Sequence, residues 1–397
     1  AVKKAVQIAL MLKCKINKEV SWQRKHYDWP DLPKGYQNTV SGAHSIPLGA
    51  NGEFSRIKIR SMHLEEDPAS WDPKTGYIDY NRSGLPLVEI VTEPDFSFSE
   101  EVSEWLKKIV HALAYLKAAD KNAGIKADVN VNIPGKTERV EIKNINSIEN
   151  VKKAIEYELE RQEKEGSIRE TRRYDELKEK TISMRSKEYE EDYKFISDPD
   201  LQTIQLSDKL ISELKEKLPE MPETKLEKMI KHYKIDKKNA EILTKHLDIA
   251  EFFEKIAESK KIEPDFALPW ITIELFRVLN WNKKTLEEVD INLKHFIKLL
   301  ELVKKRKITE LQAKQILNKF IPKSFDPSKV EGKIDDKKEL ELIIRKVIEK
   351  DKEAVSDYKG GDKNTFNFLM GQIMKATNKR ADYSLARKIL EKALNEK

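Results

Sequence analysis

The stretch RSMHLEEDPASWDPKTGYIDYNRSGLPLVEIVTEPD, Arg60 to Asp95, carries three adjacent carboxylates (Glu65, Glu66, Asp67) at the end of one β-like run. Three more (Glu89, Glu93, Asp95) lie along a second. Taken from Phe54, the first run reads FSRIKIRSMHLEED, where Phe54, Ile57, Ile59, Met62 and Leu64 are interleaved with polar residues, the period of a strand. Alternation places Glu65 and Asp67 on one face and Glu66 on the other, so only one face can readily serve a given metal. In the second run Leu87, Val88, Ile90 and Val91 flank Glu89, after the breaks at Ser83-Gly84 and Pro86. A carboxylate among apolar neighbours is costly to bury unless a cation or hydrogen bonds compensate. Two readings stand at this point: a divalent-metal site, or a solvated strand end.

Upstream, AVKKAVQIALMLKC (1–14) has the spacing of an amphipathic helix, with Val2, Val6, Ala9 and Leu10 on one side. The helix holds the chain's single cysteine, Cys14, which reads as a core residue. SWQRKHYDWPDLPKGYQ (21–37) is rich in aromatics, Pro and Gly and reads as an ordered loop. Its Arg24, Lys25 and Lys34 stand among Trp22, His26, Tyr27, Trp29 and Tyr36. Cations suit phosphate and rings suit stacking, so a nucleotide or single-stranded end is one reading; a loop pinned by its own aromatics is the other.

Downstream, Ser99 opens a helix with Glu100 and Glu101 in its first turn. A hairpin follows around Pro134-Gly135. Asp128, Asn130 and Asn132 share one face of its first strand, and Glu141 and Lys143 share one face of its second. Such hard oxygen donors suit Mg²⁺, and equally suit a solvent-facing sheet side. Ser147 and Gly166 bound the next helix. ETRRYDELKEKTISMRS (170–186) is turn-rich, with Arg172, Arg173 and Arg185 as phosphate candidates. A boundary falls near 205–222. From Thr224 onward the 3.6-residue period dominates, first as a helical bundle and then as a small helical tail. The tail contains Lys375, Lys379 and Arg380, a charge cluster that reads as a solvated helix end or a nucleic-acid contact. The expected class is α+β, divided as 1–220, 221–332 and 333–397.

The 397 residues suffice for several domains, and a net charge of +6 is distributed over many charges of both signs. No apolar run reaches membrane-spanning length, and one cysteine excludes a disulfide framework or a multi-cysteine zinc site; both suit a cytoplasmic protein. The P-loop, GxGxxG, GxSxG and HExxH patterns are all missing, so phosphate chemistry requires a site built from strands and metal.

As an ordered set the motifs resemble one family. RKHYDWPDLPKGYQ, HLEED, DYNRSGLPLVEIVTEPD, DVNVNI, RVEIKNINS, ERQ, ETRRYDE, MRSKE, DYKFISDPDL and LMGQIMKAT together resemble the B subunit of aspartyl/glutamyl-tRNA amidotransferase, and they span nearly the whole chain. The related archaeal E subunit is the nearest rival. The resemblance implies a β-rich cradle domain, an all-α helical domain and a small YqeY-like tail. It implies a ligase that uses ATP and Mg²⁺ to phosphorylate the side-chain carboxylate of Glu-tRNA(Gln) or Asp-tRNA(Asn). Ammonia from the glutaminase, the A subunit, then displaces phosphate, and the C subunit ties the other two together. The runner-up is a tRNA-binding scaffold without chemistry of its own.

By the family pattern Glu66, Glu89 and Glu141 are expected at the metal, with Glu66, Lys25 and His63 catalytic. Lys25, Tyr27, Asp128, Asn130 and Asn144 are expected at the nucleotide, and Lys375, Lys379 and Arg380 at the tRNA. On this reading Glu66→Gln stops carboxylate activation while tRNA binding survives. Two departures stand out: the family's opening G-L-E-x-H segment has no counterpart here and is expected upstream of Ala1, and Lys126 replaces the arginine usual before the DVN-type motif.

Overall fold

Residues 1–27, 29–42, 45–72, 75–119, 125–184 and 194–395 are described by a computed structural model. They fall into two units, Ala1–Met221 and Pro222–Lys397.

In the first unit the strands run β1 (Lys15–Ile16), β2 (Glu19–Val20), β3 (Gln23–His26), β4 (Tyr36–Thr39), β5 (Gly49–Phe54), β6 (Ile57–Glu66), β7 (Ser70–Trp71), β8 (Ile78–Asp79) and β9 (Pro86–Thr92). Then come β10 (Ala127–Val131), β11 (Val140–Ile145), β12 (Glu170–Asp175), β13 (Lys180–Ser183), β14 (Lys194–Ser197) and β15 (Ile204–Gln205). Helices α1 (Val2–Met11), α2 (Ser99–Tyr115) and α3 (Ile148–Glu165) pack against the sheets.

The ten-residue β6 is the centre of the larger sheet, ordered β1-β5-β6-β4-β3-β14 with β9 also paired to β6. Phe54 does not belong to β6, as the unbroken alternation suggested. It ends β5, and Ser55 and Arg56, both in the left-handed region (φ 49° and 71°), turn the chain into a two-residue hairpin. The 21–37 segment is likewise not a loop throughout. β3 and β4 pair antiparallel, Gln23 opposite Thr39 and Lys25 opposite Gln37. Partners distant in sequence, β14 and β6, take up the outer backbone groups, which outweighs weak local strand propensity.

One face of β6 supplies Ile57, Ile59, Met62 and Leu64 to a core with Val6, Ile8 and Ala9 of α1 and Trp105 and Ile109 of α2. Cys14 is buried there, as expected, and desolvation pushes its thiol up to about 11. β5 lies so close that a Cβ on Gly52 would stand 2.4 Å from the Leu12 carbonyl oxygen and 2.5 Å from Cys14 Sγ.

The second sheet, β10-β11-β12-β13, contains the expected hairpin, with Asn130 opposite Glu141. One face packs Val131, Val140, Ile142 and Ile145 against Val151, Ala154 and Ile155 of α3. That helix starts and stops where the sequence indicates: Ser147 Oγ accepts from Asn150 N at 3.1 Å, and Gly166 closes it at φ 70°.

The unit Pro222–Lys397 is helical and encloses two apolar cores. One is built around Phe253, Phe296 and Phe320, the other around Leu340, Ile344, Ile373 and Leu390. The α+β class holds. No helix among the described residues is long and apolar enough to cross a membrane.

Candidate active site

β6 and β9 pair antiparallel with His63 opposite Glu89, Glu65 opposite Leu87 and Glu66 opposite Pro86. Directly opposed residues share a face, so Glu89 stands on the His63 and Glu65 side. Glu66 projects from the other. Gln37 carries this polar face into β4: its Nε2 donates to Glu65 Oε2 at 3.1 Å. Glu65 Oε1 also accepts from Thr39 Oγ1 at 2.9 Å and Ser41 Oγ at 2.8 Å. Lys25, opposite Gln37, extends the same face to β3.

Glu89 reaches solvent but is crowded by protein elsewhere, and loss of water raises its carboxyl above the usual glutamate range. The Glu65 charge pushes it further up, and so does Asp128. His63 and Lys25 pull in the opposite direction. Asp128 starts the outward face of the second sheet, so the polar faces of the two sheets share one electrostatic environment. Lys126, two residues before, is held below the ordinary lysine range by desolvation and by the Arg82 charge, against the pull of Asp67, Asp128 and Asp31. Arg82 itself is clamped on Asp67 through Nε (2.7 Å) and Nη2 (2.6 Å).

The opposite face of β3, β4 and β6 forms a separate ionic cluster. Lys34 Nζ bonds Glu66 Oε2 at 2.6 Å, and the Asn38 amide donates to the same oxygen at 3.2 Å. Arg24 lies 4.4 Å from the centre of the Tyr36 ring, and Lys34 Nζ lies 5.0 Å from it. Arg24 Nε donates to Asp198 Oδ2 at 3.0 Å, and Asn38 Nδ2 donates to it at 2.6 Å.

The structure thus brings together Glu89, His63, Lys25 and Asp128 of the expected residues and separates Glu66 from them. Glu141 lies on β11 with Asn130 opposite, 3.4 Å from Thr171 Oγ1 and 3.8 Å from Lys143 Nζ. The expected trio Glu66, Glu89 and Glu141 is therefore spread over two faces of one sheet and one face of another. Tyr27 follows β3, and its ring centre is 5.9 Å from Lys25 Nζ. The Asn144 side chain and Arg185 lie outside the described residues. Arg172 is on the packed face of its sheet, so it is not a phosphate reader; Arg173 is on the outward face, opposite Lys143. In the tail Lys375 is exposed on the last turn of helix Asn364–Ala376, while Arg380 is engaged with Glu331 and with the Gly332 carbonyl (2.8 Å).

Glu65 is the residue that sequence reasoning passed over. Its signal was present: two residues after His63, it shares that residue's face. The β6–β9 register was the missing piece of information. Among the described residues no three His, Cys, Asp or Glu side chains converge closely enough to hold a metal ion. The donor chemistry nevertheless fits Mg²⁺, which is commonly held by one or two carboxylates and completes its shell with waters and substrate phosphates. Glu65 and Glu89 supply two such carboxylates, and their mutual repulsion favours a cation between them.

Comparison with known proteins supports the motif reading. Residues 1–212 match the family model described as the GatB/GatE catalytic domain, and residues 251–394 match that described as the GatB domain. The chain is 40% identical over 416 residues to the B subunit of aspartyl/glutamyl-tRNA(Asn/Gln) amidotransferase from Methanocaldococcus jannaschii, covering 100% of this chain and 87% of that protein. The protein of the same name from Methanobrevibacter smithii is 41% identical over 404 residues, covering 98% and 88%. That from Methanothermobacter thermautotrophicus is 40% identical over 393 residues, covering 96% and 86%. The chain belongs to the B-subunit family of aspartyl/glutamyl-tRNA(Asn/Gln) amidotransferases.

Proposed function

We propose that this chain is the amidotransferase component that uses ATP to activate the side-chain carboxyl of a glutamyl or aspartyl group carried on tRNA(Gln) or tRNA(Asn). Ammonia released by a glutaminase, the A subunit, then forms the amide, and a C subunit completes the assembly in the cytoplasm. The observation that carries this reading is the shared face of Lys25, His63, Glu65 and Glu89, with Asp128 in electrostatic range.

A carboxylate resists attack by ammonia because its leaving group would be an oxide. Transfer of a phosphoryl group to it creates a good leaving group, and such transfer depends on positioning and charge compensation more than on covalent catalysts. Bound Mg²⁺ would neutralise phosphate charge, and Glu65 and Glu89 are the residues that would hold it. Thr39, Ser41 and Gln37 fix the Glu65 carboxylate by three hydrogen bonds. Lys25 supplies a cation on the same face for a phosphate oxygen. Asp128 and Asn130 offer polar contacts for the nucleotide from the second sheet.

His63 is held in place by two polar neighbours. Its Nδ1 is 3.4 Å from the Val40 carbonyl oxygen, which can only accept. Its Nε2 lies 3.0 Å from Ser61 Oγ. Both ring nitrogens are thus engaged, and the ring stands opposite Glu89. In the tail, Lys375 and Lys379 offer cations to a tRNA backbone; Arg380 holds its own loop through Glu331.

The test is ADP formation by the reconstituted enzyme. ADP should appear only with misacylated tRNA present, and amide formation should require ATP. ADP released equally without tRNA would point to a different phosphate-transfer enzyme, and amidation without ATP would overturn the proposal.

A further inference from the structure

The face of the second sheet that packs on α3 hides a charged network that the function has not used. Glu158 of α3 is fully buried, with 0% of its side chain exposed, and Arg161 and Arg172 retain 10% and 12%. Arg161 Nη2 donates to Glu158 Oε1 at 2.6 Å, and Arg172 Nε approaches Oε2 at 3.5 Å. Thr181 Oγ1 of β13 donates to Oε2 at 2.6 Å, and Gln162 Nε2 donates to Oε1 at 2.9 Å. Arg172 also reaches the Thr181 carbonyl (3.0 Å) and Glu170 Oε1 (2.8 Å).

Gln162 carries the network to the hairpin. Its Nε2 also donates to the Val131 carbonyl at 3.1 Å, at the last residue of β10. Its Oε1 accepts from Thr137 Oγ1 at 2.6 Å, and Thr137 Oγ1 in turn accepts from the Ile133 amide at 2.7 Å. The turn that joins β10 to β11 is therefore stapled to α3 by one side chain. Glu158 fixes the rotamer of that side chain, and two arginines compensate the buried carboxylate.

Such a staple has a specific consequence. β10 already breaks register between Ala127 and Val129, so its pairing is not uniform next to Asp128. A slip of β10 by one residue would send Asp128 and Asn130 to the opposite face and away from Glu141, which β12 holds in place. Val131 pairs with Val140, immediately beside the Asn130–Glu141 pair, so the Gln162 bond to the Val131 carbonyl acts one residue from the polar face.

We infer that Gln162 and Thr137, held by Glu158, are positioning residues that lock the β10–β11 register and so keep Asp128 and Asn130 on the outward face, beside Glu141, where the nucleotide is proposed to bind. The inference rests on the carboxylate-activation reading above.

The experiment compares Thr137→Val and Thr137→Ser in the full complex, under ATP- and tRNA-dependent amidation. Valine keeps the shape and removes the hydroxyl; serine restores it. The expected result is a kcat/KM for ATP lowered about fivefold in Thr137→Val, the scale of one lost hydrogen bond. The wild-type value should return in Thr137→Ser, and glutaminase activity should be unchanged in both. A second measurement combines Thr137→Val with Asn130→Ala. If the staple acts through the polar face, the double variant loses less than the product of the single losses. Equal kinetics in valine and serine variants would overturn the inference, whether or not the melting temperature falls. So would fully multiplicative losses in the double variant. Wild-type enzyme that shows no ATP requirement would instead defeat the activation reading itself, before any variant is compared.

Discussion

His63 and Glu89 stand directly opposite each other on β6 and β9, and this pairing puts Glu89 on the face of Glu65 and away from Glu66. Which acidic residues can act together follows from that register. Glu65→Gln or Glu89→Gln should lower carboxylate-dependent ADP formation by about a hundredfold or more, the scale of a lost electrostatic contact at a phosphoryl-transfer centre. Glu66→Gln removes a surface-type bridge to Lys34 and should stay within about threefold of wild type. Steady-state kinetics of the three variants separates the faces; loss in Glu66→Gln alone would reverse the assignment.

Asp198 gives a pH signature. It lies near the surface, yet only 2% of its side chain is exposed. Burial raises its carboxyl, but hydrogen bonds from Arg24, the Asp200 amide, Asn38 and the Leu201 amide outweigh this and hold it below the usual aspartate range. A depressed folded-state value contributes stability above the unfolded value, and that contribution fades as pH falls through the folded one. Asp198→Asn should therefore cost about 1–2 kcal/mol at pH 7. The gap from wild type should close as pH drops below the ordinary aspartate range. Urea unfolding at pH 7 and at pH 3 measures it; a gap independent of pH would remove the carboxylate from the account.

The Cys14 thiol, pushed up to about 11, should be inert in the folded protein. A thiol-labelling reagent at pH 8 should react slowly until denaturant is added. Gly52→Ala, whose new methyl would meet Leu12 O and Cys14 Sγ, should destabilise by about 2 kcal/mol and speed labelling. Fast labelling of the native wild type would contradict this packing.

In the helical unit Lys225 Nζ bonds Glu254 Oε2 at 2.6 Å, with 5% and 9% of the side chains exposed, and Lys228 approaches Oε1 at 3.0 Å. Lys225→Met alone should cost about 3 kcal/mol, because it strips a buried carboxylate of one partner. Lys225→Met with Glu254→Leu should recover most of that. Melting curves of the single and double variants are the check, and a double variant as weak as the single would make the pair indispensable.

Much of this protein is legible in its sequence. Alternation marked β6 and β9, Ser147 and Gly166 bounded α3, the Pro134-Gly135 turn marked the β10–β11 hairpin, and the order of motifs indicated the family. These are local properties, carried by spacing within a dozen residues. Pairing between distant segments was not legible. Glu66 and Glu65 are equivalent as neighbours in a row of acids, and only the β6–β9 ladder decides which one faces Glu89. The aromatic segment at 21–37 became strands because β14 and β6 were there to accept its backbone. Arg172, read as a phosphate candidate, met Glu158 at the centre of the α3–sheet interface. Periodicity fixes which side of an element a residue takes; register and packing, which are set by contacts across the chain, fix what that side meets.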